Sequence, residues 1–274
     1  MPGELIRILS DVHYGERSSR VRSLDQLRPL FDGASRLLFN GDTFDTRFGP
    51  DPGLTARTRA EVQAFFSSLG TPVTFVTGNH DPDLSTQHSA DLAGGQVFVT
   101  HGDILFDSIV PWGQDVALIL KRMNATRAAR PGWEDRPLEE RLRVIREVAA
   151  SIPQRHQSEQ RPLQYALRFA MDTVWPPTRV LKVLRAWHEV PRRAAALLQR
   201  DRPAARFALF GHTHHAGVWR LASGVTIINT GAYCRPFDSL VADLSPGRLL
   251  VRQARFLGGE YRLGGSVAEF ALAP

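Results

Sequence analysis

The 274-residue chain has little cysteine, almost no lysine and no long apolar run. Its single cysteine, Cys234, excludes an internal disulfide framework, argues against a structural zinc site built from cysteines, and fits a reducing compartment. No stretch approaches about 18 uncharged apolar residues, so we expect no transmembrane helix. The first residues lack the basic start and apolar run of a signal peptide. These absences predict a cytoplasmic protein, or one held at the inner face of a membrane.

What is present is typical of a globular chain, with 43% hydrophobic and 23% charged residues. The length suits one large domain or a domain with a sizeable insertion. Charge is distributed unevenly, since residues 121–206 carry 19 basic and 9 acidic side chains, a balance of +10, whereas the remainder has a balance of −4. A basic segment of this kind indicates an anionic partner.

Apolar runs alternate with helical spacing along most of the chain. Strands are predicted at 5–9, 37–39, 73–76, 97–99, 207–210, 225–228, 239–242 and 249–251. Helices are predicted at 22–34, 55–69, 114–128, 137–150, 161–174 and 178–200, and residues 83–95 are predicted to be irregular. We therefore expect an α/β fold with a core formed by 1–108 and 203–274 and a helical cap inserted at 109–202.

Polar blocks follow five of the predicted strands directly. Their chemically active residues are Asp11, His13, Asp42, Asn79, His80, Asp81, His101, His212 and His214. Open α/β sheets bind ligands at the carboxyl ends of their strands. In Asp-x-His and His-x-His, alternate residues lie on one side of an extended backbone, so each pair is expected to aim two donors at one point. Imidazole, carboxylate and amide donors suit a borderline or hard divalent ion.

Each block also has a structural alternative when it is taken alone. Gly41-Asp42 is typical of a turn, and Asp81 can cap the turn that follows it through its carboxylate. His101 alone would more often be a loop histidine than a ligand. All five blocks occur in order and each follows a strand, which favours a metal site over five unrelated turns.

Together the five blocks resemble the signature blocks of the calcineurin-like metallophosphoesterase superfamily, over residues 9–214. The resemblance implies a four-layer α/β/β/α sandwich with an inserted helical cap and two divalent ions at the sheet ends. It implies that one ion is held by Asp11, His13, Asp42 and His214, and the other by Asp42, Asn79, His101 and His212. Mn²⁺ is the expected ion, with Mg²⁺, Fe and Zn²⁺ as alternatives.

The resemblance also implies an activity, the hydrolysis of a phosphoester or phosphoanhydride by a water that the two ions activate. His80 is expected to protonate the leaving group or to stabilise its charge, and Asp81 is expected to orient His80 or to cap the backbone. Two alternatives remain open: a general phosphodiesterase or nuclease of the same superfamily, and a non-catalytic scaffold with the same fold.

A long helical insertion after His101 is similar to that of the UDP-2,3-diacylglucosamine diphosphatases, which cleave a phosphoanhydride in a nucleotide-linked diacyl sugar at the inner membrane face. That subfamily usually carries arginine where this chain has His80. The helices either cover a small core of their own or offer apolar faces beside a basic surface to a lipid-linked phosphate substrate.

Other phosphate-containing partners are weighed on charge alone. Arg17, Arg47 and Arg235 are candidates for binding additional phosphates, or are solvated loop charges. The pI of about 10.2 leaves nucleic acid as an alternative partner. Against it, the insertion lacks aromatic residues interleaved with basic ones, as a strand-binding platform would have.

Overall fold

The structure is a computed structural model that describes residues 4–154 and 177–273. Within these ranges the strands are β1 (Ile6–Leu9), β2 (Arg36–Asn40), β3 (Val73–Val76), β4 (Ser89–Leu92), β5 (Val97–Thr100), β6 (Phe207–Phe210), β7 (Gly217–Arg220), β8 (Thr226–Asn229), β9 (Ser239–Ser245), β10 (Arg248–Leu257) and β11 (Glu260–Ala271). The helices are α1 (Arg28–Phe31), α2 (Pro52–Ser67), α3 (Val116–Ala128), α4 (Leu138–Ala150) and α5 (Thr178–Asp201).

These strands form two sheets. The six-stranded sheet has the order β11-β10-β9-β1-β2-β3, and the five-stranded sheet has the order β4-β5-β6-β8-β7. Strands β1, β2 and β3 run parallel in the first sheet, as do β5, β6 and β8 in the second. Since parallel strands end at the same edge, each sheet collects the polar residues that follow its central strands at one edge.

The two sheets pack face to face, with helices on both outer surfaces. Successive side chains in a strand point to opposite faces, so Ile8 and Leu38 enter the core between the sheets, whereas Leu9 and Phe39 pack with α1 and α2. On the other side, α4 and α5 cover the five-stranded sheet, and Leu142 of α4 belongs to the apolar cluster between these helices and the sheet. The layers are therefore α/β/β/α, and the predicted fold class is confirmed.

The helices after β5 have two packing partners. One face of α4 lies against the sheet, and Ile145 and Val148 on another face pack with Ile119 and Met123 of α3. The segment 109–202 thus supplies part of the outer layer as well as a small core of its own. Its boundaries as an inserted cap stay a prediction, and the helix expected at 161–174 lies outside the described residues. No helix in 4–154 or 177–273 has the length and apolar character needed to cross a membrane.

Several predicted elements differ from the observed ones. The helix expected at 22–34 is a 3-10 turn (Leu24–Leu27) followed by the single turn of α1. Strand β4 lies in the segment expected to be irregular, and β7 and β11 were not predicted. These three are antiparallel edge strands, which face solvent on one side and so lack the continuous apolar run of a buried parallel strand.

Candidate metal centre

The carboxyl ends of β1, β2, β5 and β6 bring six of the predicted ligands into two adjoining groups. We call Asp11, His13 and His214 the outer cluster, and Asp42, His101 and His212 the inner cluster. Within each cluster the potential ligand atoms all lie within 4.8 Å of one another. The loop that carries the seventh residue, Asn79, is tied to Asp42, because the His80 N–H donates to Asp42 Oδ1 at 2.8 Å.

The Asp42 carboxylate lies between the two clusters. Its Oδ2 atom is 3.2 Å from His101 Nε2 in the inner cluster and 3.8 Å from His13 Nε2 in the outer cluster. In the outer cluster, His214 Nε2 is 3.3 Å from Asp11 Oδ1 and 3.1 Å from His13 Nε2. One carboxylate oxygen is therefore within reach of both groups.

Hydrogen bonds fix which nitrogen of three imidazoles faces the centre. His101 Nδ1–H donates to the Asn40 carbonyl at 3.0 Å, and His212 Nε2–H donates to the Ile109 carbonyl at 2.9 Å. His13 Nδ1–H donates to Glu16 Oε1 at 2.8 Å. Since a carbonyl or carboxylate only accepts, the other nitrogen of each ring faces the centre, where it offers a lone pair to a cation in the neutral form of the ring.

One buried oxygen of the centre, Asn79 Oδ1, has no hydrogen-bond partner among the described residues, and Asn79 is almost fully buried. His101 Nε2 makes no hydrogen bond either, but it lies 3.2 Å from the Asp42 carboxylate. Leaving such an atom unpaired costs about 1–3 kcal/mol. Oxygen and imidazole nitrogen are ligands of divalent ions, so the residues present fit the two ions that the resemblance implies.

Burial and neighbouring charges shift the pKa values of all three residues of the inner cluster. Burial raises the pKa of Asp42, but the neighbouring His101 and His80 outweigh this and hold that pKa well below its usual range. Burial lowers the pKa of His101, but Asp42 raises it to about 10. Burial and the nearby His101 lower the pKa of His212 to about 4. Asp42 is therefore an anion and His212 a neutral ligand near pH 7.

Local backbone geometry corrects one argument drawn from the sequence. Asp11 and His13 were expected to share one side of an extended strand, as were His212 and His214. Instead, β1 ends at Leu9 and β6 at Phe210, and all four residues have positive φ values between 50° and 64°. Such left-handed residues cost roughly 1–3 kcal/mol each and cluster at functional sites. The donors converge because the backbone coils tightly after each strand.

Two glycines allow this close approach. A Cβ on Gly78 would overlap the Asp42 carboxylate, and one on Gly211 would overlap the Asp11 carboxylate. Because glycine has no Cβ, the backbone at these two positions can approach the centre closely.

His80 and Asp81 follow Asn79 but lie in different surroundings. His80 Nδ1 is 3.1 Å from Asp45 Oδ2 and 3.2 Å from Glu16 Oε1, and its side chain is 26% exposed. Asp81 is fully buried and accepts the backbone N–H groups of Asp42, Thr43 and Gly78. Of the two roles expected for Asp81, its contacts are those of a backbone cap, and its side chain makes no hydrogen bond to His80. Asp81 holds two loops of the centre together, and Asp45 and Glu16 are the carboxylates that contact His80.

The described arginines near the centre are engaged to different degrees. Arg47 donates through Nε and Nη2 to the two oxygens of Asp45, at 3.0 and 2.6 Å, and its side chain is 13% exposed. It is a pairing residue of the loop rather than a free phosphate-binding arm. Arg146 of α4 forms a buried bidentate pair with Asp103, two residues after His101, with Nη2 to Oδ1 at 2.9 Å.

The last strand-end block is also held by α5. Trp187 Nε1–H donates to the Thr213 carbonyl at 2.9 Å, and the Trp187 ring stacks on His215 with centroids 4.4 Å apart. His215 packs beside the outer cluster rather than in it. Cys234 is a buried free thiol.

Glu16 and Asp45 were not singled out from the sequence. Each lies three residues after a predicted ligand, Glu16 after His13 and Asp45 after Asp42. No strand pattern marks them, so the only signal was an acidic side chain close to a predicted ligand.

Comparison with known proteins identifies the family and agrees with this fold. The sequence profile of the calcineurin-like phosphoesterase family matches residues 5–216, and the chain belongs to that family. A UDP-2,3-diacylglucosamine hydrolase from Stenotrophomonas maltophilia (strain K279a) is 30% identical over 122 residues, which cover 39% of this chain and 49% of that protein. The match thus spans about half of that relative's length.

Similar solved structures include Vacuolar Protein Sorting 29 from Cryptosporidium parvum, with 12% identity, a TM-score of 0.44 and coverage of 98% of this chain and 99% of that one. A dimetal phosphatase from Danio rerio has 14% identity and a TM-score of 0.44, covering 96% of this chain and 99% of that chain.

Proposed function

We propose that the protein is a dinuclear-metal-dependent hydrolase of phosphoester or phosphoanhydride bonds. The observation that carries this proposal is the position of Asp42, whose Oδ2 atom lies 3.2 Å from His101 Nε2 and 3.8 Å from His13 Nε2. A carboxylate shared between two groups of donors is what a pair of ions requires. The residues that would hold the two ions are those inferred above, with Asp42 common to both: Asp11, His13, Asp42, Asn79, His101, His212 and His214.

Two divalent ions, when bound, polarise a phosphate and make a water nucleophilic near neutral pH. The protein's own contribution is to hold the donors in place and to handle the leaving group. Burial of six of the seven ligand residues excludes bulk water from their donor atoms. His80 is partly exposed and contacts carboxylates that favour its protonated form, so it is suited to donate a proton to the leaving oxygen or to stabilise its charge.

For the substrate we propose a nucleotide-linked diacyl sugar resembling UDP-2,3-diacylglucosamine. The partial match to the Stenotrophomonas hydrolase supports this choice, because that protein is named for this substrate. A stripe on α5 supports it as well. Trp187 contacts the loop of His214, and Val180 and Leu184 lie on the same face, two turns and one turn away, with exposed fractions of 40% and 50%.

This stripe offers apolar surface within roughly 10 Å of Trp187, since a helix rises about 1.5 Å per residue. Lys182 and Arg185 lie in the same turns. Aliphatic side chains next to cations match acyl chains next to a diphosphate. We accordingly propose that the segment 109–202 is a cap that receives the lipid part of the substrate, and that the protein works in the cytoplasm against the inner face of a membrane.

The test is turnover by the purified, Mn²⁺-loaded protein on four substrates: a UDP-linked diacylglucosamine, a chromogenic phosphodiester, a phosphomonoester and single-stranded nucleic acid. We expect the diacyl sugar nucleotide to have the highest kcat/KM, and elemental analysis to give two ions per chain. A preference for the phosphodiester or nucleic acid would replace the substrate with that of a general phosphodiesterase or nuclease. Bound metal without turnover of any substrate would point to a scaffold.

A further inference from the structure

One carboxylate beside the metal centre belongs to neither cluster's predicted ligand set. Glu16 Oε1 accepts a hydrogen bond from His13 Nδ1 at 2.8 Å and lies 3.2 Å from His80 Nδ1. Its side chain is 29% exposed, whereas that of His13 is 3% exposed. The same oxygen atom thus contacts a candidate metal ligand and the candidate leaving-group residue.

The hydrogen bond to His13 determines what the opposite side of that ring can do. With Nδ1 carrying the proton, Nε2 has a lone pair, and it lies 3.1 Å from His214 Nε2 and 3.9 Å from Asp11 Oδ1. In metal-binding histidines, the ring nitrogen that does not bind the metal usually donates its N–H to a carboxylate or a carbonyl. This hydrogen bond fixes the tautomer and the ring orientation. Glu16 stands in that relation to His13.

The backbone around Glu16 is held firmly enough for this purpose. His13 N–H donates to the Asp42 carbonyl at 2.9 Å, and Glu16 N–H donates to the His13 carbonyl at 3.0 Å, which closes a tight turn through Gly15. Further on, Arg20 N–H donates to the Tyr233 carbonyl at 2.7 Å. The carboxylate is therefore carried on a turn that is pinned on both sides.

We propose that Glu16 is a positioning residue that holds His13 for metal binding and His80 for leaving-group protonation. The inference rests on the proposed function, because it assigns His13 and His80 the roles given there. It adds that one side chain couples the outer cluster to the residue next to Asn79. Removing this carboxylate weakens both functions, although Glu16 is not one of the seven predicted ligands.

The experiment is titration of the metal-free protein with Mn²⁺ by calorimetry, together with steady-state kinetics on a chromogenic phosphodiester. For E16A we expect one Mn²⁺-binding step to weaken by about 10–100-fold, the usual cost of losing such a partner. We expect kcat to fall by a similar factor, with KM within about twofold of wild type. The E16Q variant keeps an oxygen that accepts from His13 Nδ1–H, so it should recover most of the Mn²⁺ affinity.

A matched control is E61Q, because Glu61 accepts a hydrogen bond from the Tyr14 hydroxyl next to His13 in sequence but touches no predicted ligand. It should bind both ions and turn over as wild type does. If E16A does not fold, E16D replaces it: the charge is kept and the reach is lost, so Mn²⁺ should bind more weakly than to E16Q.

The inference is overturned if wild type and E16A bind Mn²⁺ equally and share one kcat, or if E16D binds as wild type does. In either case the proposed function stands. If wild-type protein neither binds two ions nor hydrolyses any phosphoester, the proposed function fails first and the inference fails with it.

Discussion

The two clusters of the metal centre are held in different ways. In the inner cluster, His101 and His212 are almost fully buried, and each donates its second N–H to a backbone carbonyl. In the outer cluster, His13 donates to the side chain of Glu16, and the His214 side chain is 25% exposed. The inner cluster is built into the end of the sheets, whereas the outer cluster opens toward solvent.

This difference indicates a division of labour. The Asn40 carbonyl belongs to β2, so His101 is fixed as soon as that sheet forms, and the Ile109 carbonyl holds His212 from the loop before α3. The outer donors depend on a turn and a side chain, and His214 among them is partly exposed. We expect substitutions in the inner cluster to affect folding as well as activity, and those in the outer cluster to affect mainly metal binding and activity.

The largest effect is expected where the two clusters meet. D42N keeps the shape of the shared side chain but removes its negative charge. In the proposed function, that charge stabilises both ions. Metal ions contribute several kcal/mol to such reactions, so kcat/KM should fall by about 10³-fold or more, with at least one ion lost by elemental analysis. The matched control is D83N, since Asp83 contacts Thr46 and Arg59 at the surface and should stay within twofold of wild type. Two retained ions and full activity in D42N would contradict a shared ligand.

The residue beside both clusters should separate binding from chemistry. His80 contacts Asp45 and Glu16, and it is not one of the seven predicted metal ligands. H80A should therefore lower kcat by about 10²–10⁴-fold, the range for general acid catalysis, while two ions stay bound. Kinetics and elemental analysis of the same preparation test this. Loss of an ion in H80A would show that the residue acts as a ligand instead.

The next largest effect is expected for the ion pair by which α4 supports the inner cluster. Arg146 pairs with the fully buried Asp103, so R146M leaves a buried charge without its partner and should lower the free energy of unfolding by about 3–5 kcal/mol. Urea denaturation measures this. R248M removes an ion pair with Glu269 whose side chains are 50% and 55% exposed, and it should cost less than about 1 kcal/mol. Equal costs would show that α4 does not support the inner cluster.

The smallest effects are expected for two histidine variants, one from each cluster. Their stability is compared in the presence of a metal chelator, so that bound ions do not contribute to the free energy of unfolding. H101A leaves the Asn40 carbonyl without its donor and the buried Asp42 carboxylate without its nearest cation, and it should lower the free energy of unfolding by about 2–3 kcal/mol. H214A alters a partly exposed side chain and should cost less than about 1 kcal/mol. The reverse order would break the distinction between a built-in and an adjustable cluster.

Much of the centre could be predicted because its residues come directly after apolar strands in the sequence. Asp42 follows a buried apolar strand and a glycine, and His101 directly follows β5 and precedes a glycine, so their positions at strand ends were enough to identify them. Glu16 and Asp45 gave no such signal. Whether an acidic side chain in a loop contacts His80 depends on how two loops meet, and their separation along the chain, 16 to 45 to 80, carries no information about that.

The same limit applies to the fold. Apolar runs predicted the buried parallel strands, but β4, β7 and β11 are edge strands that become visible only when their neighbours are in place. It also applies to Asp81, for which the sequence left two roles open and whose side chain accepts three backbone N–H groups in the structure.

By itself, the sequence determined the fold class, the order of the polar blocks and the donor types, because apolar periodicity and residue chemistry are local properties. Tertiary structure alone decided which nitrogen of three histidines faces the centre, how the backbone turns after each strand, and which acids serve as supports. Those choices are fixed by hydrogen bonds between segments far apart in the chain, which exist only once the two sheets have packed together.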